Sequence, residues 1–246
     1  MTHPQRFMQN ILLRPEDDSP RLQYARWLSG RGDPFGEFIY HQCVLERDAY
    51  DTPLAVHERR AQELLAEYYD HWADPITSRV SWCSFRRGFV EEISLSDRQL
   101  IKFAHELFQH APVLDIHLQS DGRRLDRLPE LPGVKQTLFL DLSSQGVGDA
   151  GIERLAEAPM LEQVHGLNLG STYMGDVGLE ALAHSLRVGR LRELYLNDNL
   201  ITDEGLRHFV MSPLVEQLDV LDVRFTQISN EGIDVLKRIL GQNVMC

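Results

Sequence analysis

The chain has 246 residues, 43% of them hydrophobic and 25% charged, which is typical of a globular protein with a sizeable core. Its formal net charge of −12 gives it no counterion-release energy with nucleic acid and repels it from anionic lipid. Three scattered cysteines and the lack of a long apolar stretch exclude a disulfide framework and a membrane span. We expect a cytoplasmic protein that binds neither nucleic acid nor membranes.

The first 80 residues carry the apolar spacing of helices. Proline, glycine and aspartate interrupt this spacing at 15–20, 30–36 and 51–53, which predicts three to four short helices. Ser19 before Pro20 is typical of a helix N-cap. Six aromatic residues fall at helical spacing and are predicted to pack in a core: Tyr24, Trp27, Phe38, Tyr68, Trp72 and Trp82.

Three polar motifs each have a structural and a functional interpretation. Asp17 and Asp18 with Arg21 could contact a partner or ion, but helix capping and local ion pairs are favoured. The tripeptide ending at Asp33 is adhesive in other settings, and here it predicts a turn with a capping aspartate. His105 and His110 are five residues apart, roughly 140° around a helix, so no metal site is predicted there.

Two strand-like segments follow between residues 81 and 136. Alternating apolar residues predict strands at 90–95 and 113–118, and 100–108 has helical spacing. A loop rich in arginine, aspartate and proline follows the second strand. These segments are either two divergent repeats or an ordinary α+β connector that happens to alternate.

Residues 137–246 contain four repeats at an unbroken 27-residue step. The step is set by glycines that each end an Asp/Asn-x-Gly turn: Gly151, Gly178, Gly205 and Gly232. Before each turn, leucines alternate as in a short strand, and after it apolar residues follow at helical spacing. One unit cannot bury its own apolar face, so the repeats must stack. The residues predicted as helix N-caps are Asp149, Asp176, Asp203 and Asn230.

This half resembles ribonuclease-inhibitor-type leucine-rich repeats, with the pattern L-x-x-L-x-L-x-x-N-x-(I/L)-x-D-x-G and then an apolar residue. Leu191 to Leu206 matches it nearly in full, including Asn199. Gln145, Thr172 and Thr226 replace the asparagine elsewhere, and they can still bond to the backbone, which predicts a looser ladder. The fold expected is α/β: a helical N-terminal domain caps a short solenoid with concave parallel strands and convex helices.

The N-terminal region is similar to the repeat-companion domain of bacterial leucine-rich repeat proteins. The resemblance rests on the run from Arg14 to Ile39, which contains D-D-S-P-R-L and R-G-D-P-F-G-E-F-I, and on the run from Trp82 to Glu91, which ends in R-R-G-F-V-E. Arg14 and Arg26 stand where the family usually has asparagine and aspartate. It implies a domain at 1–80, a junction with two divergent repeats at 81–136, and four repeats with a tail at 137–246. The resemblance brings a fold and little chemistry.

The strand positions between the inward leucines predict a binding face. Side chains there alternate toward the concave side, which is acidic with a tyrosine near its middle. A solvated face without a ligand is the competing interpretation. The predicted partner-binding residues are Asp115, His117, Phe139, Asp141, Asn168, Glu193, Tyr195, Asn197, Asp222 and Arg224.

The leading functional hypothesis is a non-enzymatic interaction module that binds a protein or peptide, preferably a basic one, through this face or the helical domain. No catalytic, cofactor or metal residues are predicted, and the oligomeric state is left open. A second hypothesis is a substrate or carrier protein that is modified at Cys246. A third is a regulator of a nucleotide-hydrolysing enzyme, a part that some ribonuclease-inhibitor-type repeats play.

Overall fold

The computed structural model describes residues 3–47, 54–125, 128, 131 and 133–246. The chain divides into two units: a helical unit, Met1–Ile93 with His105–Leu114, and a repeat unit, Ser94–Ala104 with Asp115–Cys246. The predicted break at 51–53 and much of the predicted loop after residue 125 lie outside the described residues. The domain boundaries predicted near residues 80 and 136 remain predictions.

The described part of the helical unit contains four helices, in agreement with the predicted three to four. Its first helix begins at the start of the described residues, and a proline lies inside the fourth. The bounds are α1 His3–Leu13, α2 Asp18–Ser29, α3 Pro34–Glu46 and α4 Leu54–Thr77.

Aspartates cap the N-termini of α2 and α3. The predicted N-cap Ser19 is wrong: Asp17 is the N-cap of α2, and its side chain accepts the backbone N–H of Ser19 at 2.8 Å. Asp33 accepts the N–H of Phe35 at 3.0 Å, which confirms its predicted capping role. An acceptor at this position satisfies a helix N–H that has no partner inside the helix.

Aromatic side chains form much of the core of the helical unit. Phe38 is fully buried and stacks on Trp72, with ring centroids 4.8 Å apart. Tyr24 and Trp27 pack against a second apolar cluster that contains the buried Ile39. The core prediction fails at Trp82, which is 50% exposed; it lies at the start of a strand, so helical spacing does not govern its direction.

A buried ion cluster joins α2 to a hairpin of the helical unit. The strands β1 (Trp82–Arg86) and β2 (Phe89–Ser96) are separated by two residues with positive φ, as in a tight hairpin turn. Arg21 donates to Glu91 Oε1, and both side chains are 0% exposed. Arg87 donates to Glu91 Oε2 at 2.7 Å. Burial raises the pKa of Glu91, and the surrounding guanidinium groups oppose that rise.

The segments predicted between residues 81 and 136 form regular elements. The strand predicted at 90–95 is part of β2, and the helix predicted at 100–108 is part of α5 (Asp97–His110). The second predicted strand is β3 (Asp115–Gln119), with Ile116 and Leu118 buried.

The repeat unit is built on parallel strands that lie in chain order. Each of its strands from β3 onward pairs with the next in parallel. From β4 to β7 the paired residues are 27 positions apart, as Phe139 with Gly166, whereas Asp115 of β3 pairs with Phe139 at a shorter step. The central leucine of each repeat strand is buried, as at Leu140 and Leu194. The bounds are β4 Phe139–Asp141, β5 Gly166–Asn168, β6 Glu193–Tyr195, β7 Val220–Asp222 and β8 Val244–Met245.

Helices follow the strands, and their buried residues are the apolar positions of the repeat. On α8, for example, Leu206 and Phe209 are buried while the residues between them face outward. The bounds are α6 Gly148–Ala156, α7 Asp176–His184, α8 Asp203–Val210, α9 Pro213–Glu216 and α10 Asn230–Leu240.

The aspartates of the Asp-x-Gly turns link each repeat to the next. The N-cap role predicted for four residues, Asp149, Asp176, Asp203 and Asn230, is wrong in each case, because the N-caps are Val147, Gly175, Thr202 and Ser229. Asp176, for example, is the first helical residue of α7. Its carboxylate instead accepts the N–H and the hydroxyl of Thr202, the N-cap of α8, at 2.8 and 2.7 Å. Equivalent bonds join Gly175 N to Asp149 at 2.7 Å and Ser229 N to Asp203 at 2.9 Å.

The glycine of the turn makes room for this link. A Cβ on Gly205 would lie 2.5 Å from Asp176 Oδ1, and one on Gly232 would lie 2.6 Å from Asp203 Oδ1. The aspartate of one repeat and the glycine of the next are therefore one packing unit, spread over two repeats. This explains why both residues recur at the same step.

Asn199 forms the one complete rung of the asparagine ladder among the repeats as the structure describes them. Its Oδ1 accepts the N–H groups of Thr172 and Met174 at 3.1 and 2.9 Å, and its Nδ2 donates to Leu169 O at 2.7 Å. Where threonine replaces it, the hydroxyl donates to a carbonyl three residues earlier, and at Thr172 it also lies 3.2 Å from Asn199 Oδ1. The prediction of a looser ladder at these positions is confirmed.

Candidate functional site

The strand register places eight of the ten predicted binding residues in two rows on one side of the sheet, together with Gly166 and Val220. One row is Asp115, Phe139, Gly166, Glu193 and Val220, and the other is His117, Asp141, Asn168, Tyr195 and Asp222. Asn197 and Arg224 follow two residues after the ends of β6 and β7. We call these twelve residues the strand face. The two rows share a side because successive strand residues point to opposite faces and the residue between them is buried.

Asp141 is the centre of a hydrogen-bonded cluster on this face. Its Oδ2 lies 3.2 Å from Nδ1 of His117 and accepts Nδ2 of Asn168 at 3.1 Å. Its Oδ1 accepts the backbone N–H of Ser143 at 2.7 Å. Because both oxygens are engaged, this carboxylate orders three neighbouring segments and offers little free charge to a ligand.

An aromatic pair crosses the middle of the strand face. Phe139 on β4 and Tyr195 on β6 have ring centroids 6.3 Å apart. They approach across Gly166 of the intervening strand, where a Cβ would lie 2.3 Å from the Phe139 ring. The Tyr195 hydroxyl donates to Glu193 at 3.0 Å. Burial, together with this carboxylate, raises the pKa of Tyr195, so the phenol stays protonated at neutral pH.

Asp222 and Arg224 form a closed pair at one end of the strand face. Asp222 is only 1% exposed, and Arg224 donates to it through Nε at 2.9 Å and Nη2 at 2.6 Å. The backbone N–H of Arg224 also donates to Asp222, at 3.0 Å. These bonds raise the pKa of Arg224. Arg224 is the exposed member of the pair, so a ligand meets the guanidinium before the carboxylate.

Glu193 carries an open negative charge on the strand face. Of the four acidic residues predicted there, Asp222 is paired with Arg224, and the carboxylate of Asp141 is engaged by the His117 ring and by Asn168. Glu193 has no ion-pair partner among the residues that the structure describes, and it lies in the same short strand as Tyr195. A carboxylate beside an aromatic pair can receive a basic side chain through both charge and cation–π contact.

The other candidate residues serve the structure or stand alone. His105 on α5 contacts Gln109 at 2.8 Å and is exposed. Burial raises the pKa of Cys43 to about 12, which removes any nucleophilic role at neutral pH. Cys83 is also buried, whereas Cys246 is exposed. Among the residues described, no His/Cys/Asp/Glu group has the arrangement of a metal site.

The sequence interpretation missed a group of exposed apolar side chains on the loops after the strands. Tyr173, Leu200 and Phe225 are all more than half exposed. Tyr173 and Leu200 occupy one repeat position and Phe225 another, but the residue type at each of these positions varies from repeat to repeat. The periodic pattern that reveals core residues therefore does not mark them. A usable signal was the occurrence of aromatic residues just after the strand, where the neighbouring repeats have small polar ones such as Ser144.

Comparison with known families agrees with the repeat pattern. Residues 191–210 match the family model described as "Leucine Rich repeat", and this segment contains β6, Asn199 and α8. No curated protein matches the chain with significance. No helix in the described ranges is both long and apolar enough to cross a bilayer. The match and the parallel strands fit a leucine-rich repeat protein, an α/β solenoid with a helical N-terminal region, and such repeats generally mediate protein–protein interaction.

Proposed function

We propose that this protein is a non-enzymatic binding module that holds a protein or peptide partner on its strand face. The observation that carries the proposal is the Phe139–Tyr195 pair beside Glu193. Aromatic anchors in a polar surround are the usual centre of a protein interface. A partner segment with a basic residue next to an apolar one is the best match to this group.

The ordered surroundings of the pair add to the argument. Asp141 fixes Asn168 and His117 on one side, and Asp222 fixes Arg224 on the other. Side chains that are held before the partner arrives lose less conformational entropy on binding, so each contact yields more affinity. Gly166 contributes by leaving an indentation over which Phe139 leans.

Affinity capture with charge-reversed bait tests the proposal. Glu193→Lys and, separately, Tyr195→Ser should reduce recovery of the bound partner at least about tenfold, as expected at an interface hot spot. Glu153→Lys is the matched control, since Glu153 is an exposed residue of α6 and the change in net charge is the same. Equal recovery with all three baits would show that the strand face is not the site.

The helical unit is the alternative binding surface. Its most accessible aromatic group on α3 is Tyr40, which is about half exposed. If Tyr40→Ser releases the partner and Glu193→Lys does not, binding belongs to the helical unit. Modification at Cys246 and regulation of a nucleotide-hydrolysing enzyme stay hypotheses, to be tested by intact mass and by partner identity.

We further propose that the helical unit is the companion domain of bacterial leucine-rich repeat proteins of the ribonuclease-inhibitor type. Its two signature runs supply the two ends of one ion pair: Arg21 comes from D-D-S-P-R-L and Glu91 from R-R-G-F-V-E. This contact gives a physical reason why the two runs would occur together. Sequences of relatives that lack one of these residues and keep the other would argue against the assignment.

A further inference from the structure

A small cleft lies on the loops that follow β5, β6 and β7. Its volume is about 220 Å³, below the roughly 300–1,000 Å³ of pockets that hold whole small molecules. One long side chain fits such a space better than a cofactor does. We call it the loop cleft; the lining residues that matter below are Ser171, Tyr173, Asp198, Leu200, Phe225 and Gln227.

Two aromatic residues of the loop cleft are exposed without any visible benefit to folding. Tyr173 is 72% exposed and Phe225 is 82% exposed. Neither ring stacks on another aromatic ring within the described part of the chain. Apolar rings that remain in water contribute little to folding. Exposed aromatic side chains around a cleft are common in ligand-binding sites.

The backbone at these two residues is also unusual. Their φ angles are +61° and +59°, in the left-handed region that bulky side chains rarely adopt. Positions equivalent to Phe225 have the same backbone, but they carry small polar residues: Ser144, Ser171 and Asp198, with φ between 56° and 58°. Those residue types tolerate the left-handed region better than phenylalanine does. Phe225 therefore combines strain with exposure, a combination that is typical of ligand-binding positions.

The charge of the loop cleft favours a cation. Asp198 accepts the Ser171 hydroxyl at 2.7 Å and has no ion-pair partner among the residues described. Residues 137–246 contain sixteen acidic and eight basic side chains, so the surrounding field is negative as well. A carboxylate that lines the same cleft as two exposed rings matches a planar guanidinium, which can stack on an aromatic face and donate two hydrogen bonds at once.

We infer that the loop cleft binds a basic side chain of a partner protein, with arginine as its best ligand. The site uses loops after the strands and shares no residue with the strand face. It therefore does not depend on the function proposed above, and either idea can fail while the other stands.

The direct test is an NMR titration of the full chain with N-acetyl-arginine amide, using N-acetyl-citrulline amide as the uncharged isostere. The arginine probe should give saturable shifts of the backbone amides of Tyr173, Asp198 and Phe225, and citrulline should bind on the order of fivefold more weakly or worse. N-acetyl-lysine amide separates simple charge from guanidinium geometry, and it should fall between the two. Equal binding of arginine and citrulline, or no saturable shift at these amides, would overturn the inference.

Variants that keep the fold make the test specific. Phe225→Ser restores the residue type of the equivalent positions, so it should fold at least as stably and lose the arginine-dependent shifts. Asp198→Asn tolerates the same backbone and should weaken binding on the order of fivefold. Leu186→Ser is the control, because Leu186 is almost fully exposed and lies outside the cleft. Arginine binding that survives Phe225→Ser, or is lost in Leu186→Ser, would contradict the assigned site.

Discussion

In the helical unit both members of one ion pair, Arg21 and Glu91, are sealed from solvent, whereas the buried Asp222 of the repeat unit pairs with a half-exposed Arg224. In the repeat unit, neighbouring repeats are held together by Asn199 and by aspartates such as Asp176, which accept hydrogen bonds from backbone N–H groups of an adjacent repeat. A sealed ion pair is costly to bury, and it is very costly to leave half complete. Bonds to backbone are individually modest and recur at each step. The helical unit thus depends on a few irreplaceable residues, while the repeat unit spreads its stability along the chain.

Removing one partner of the sealed ion pair should cause the largest loss of stability. Arg21→Met leaves Glu91 buried with less compensation, and we expect the free energy of unfolding to fall by about 3–5 kcal/mol. Urea unfolding followed by circular dichroism measures the change. Arg26→Met is the matched control, since Arg26 is an exposed residue of the same helix. A similar loss in both variants would show that the pair is unimportant.

The corresponding cut in the repeat unit is Asn199→Ala. It leaves several buried backbone partners without bonds, including Thr172 N and Leu169 O, and should cost about 2–4 kcal/mol. Thr226→Ala removes a single local bond and should cost about 0.5–1.5 kcal/mol. Urea midpoints of the two variants give the difference directly. If Thr226→Ala proves the more harmful, the rung at Asn199 does not join the repeats as described.

Adding one methyl group tests the link between aspartate and glycine. In Gly205→Ala the new Cβ would press on Asp176, and such overpacking typically costs about 1–3 kcal/mol. Gly189→Ala should be neutral or slightly stabilising, because its Cβ would meet no atom within 4 Å. Thermal unfolding distinguishes the two. Equal stability of both variants would mean that the aspartate can move away freely.

A smaller effect should appear on acidification, and it belongs to the helical unit. Nδ1 atoms of His41 and His57 lie 2.8 Å apart, and burial followed by the charge of His57 lowers the pKa of His41 below its ordinary 6.5. Arg60 lowers this pKa further, whereas Glu37 opposes the decrease. The unfolded chain takes up the proton first, so stability is constant at higher pH and falls as the pH drops below 6.5.

Melting temperatures measured from about pH 8 to pH 5.5 check this effect. The carboxylate of Glu37, whose pKa is lowered by its bonds to Arg60, titrates below this window. His57→Gln should flatten the decrease. An unchanged slope in that variant would assign the pH dependence to other groups.

The sequence was sufficient to predict structural features that arise from local or periodic residue patterns. The 27-residue step predicts the strands, the helices and the two rows of the strand face, because burial alternates with a fixed period in each element. It could not predict the partners of Arg21 or Asp176, since they lie 70 and 26 residues away and depend on how segments pack. The sequence suggested that Asp176 caps its own helix, α7. Its carboxylate instead accepts an N–H at the start of the next helix, α8, which offers the same kind of unpaired donor.

The strand face likewise combines features that the sequence predicts with contacts that it does not. Its membership follows from alternation, but the pairing of His117 with Asp141 and of Asp222 with Arg224 depends on strand register and side-chain rotamers. These pairings engage the carboxylates of Asp141 and Asp222, whereas Glu193 keeps an open carboxylate. Whether a partner binds there stays a prediction.

The link between Asp176 and Thr202 also has a consequence for how such a chain can lengthen. At each of the three junctions between the four repeats, an N–H near the start of one helix donates to the aspartate carboxylate of the preceding repeat, so the junctions have the same hydrogen-bonded contact. Duplicating or deleting a block of 27 residues would reconnect matching ends, whereas a block of 26 would misalign every later junction. Recombination within the coding sequence could therefore add or remove whole repeats and keep the aspartate hydrogen bond at each junction between them.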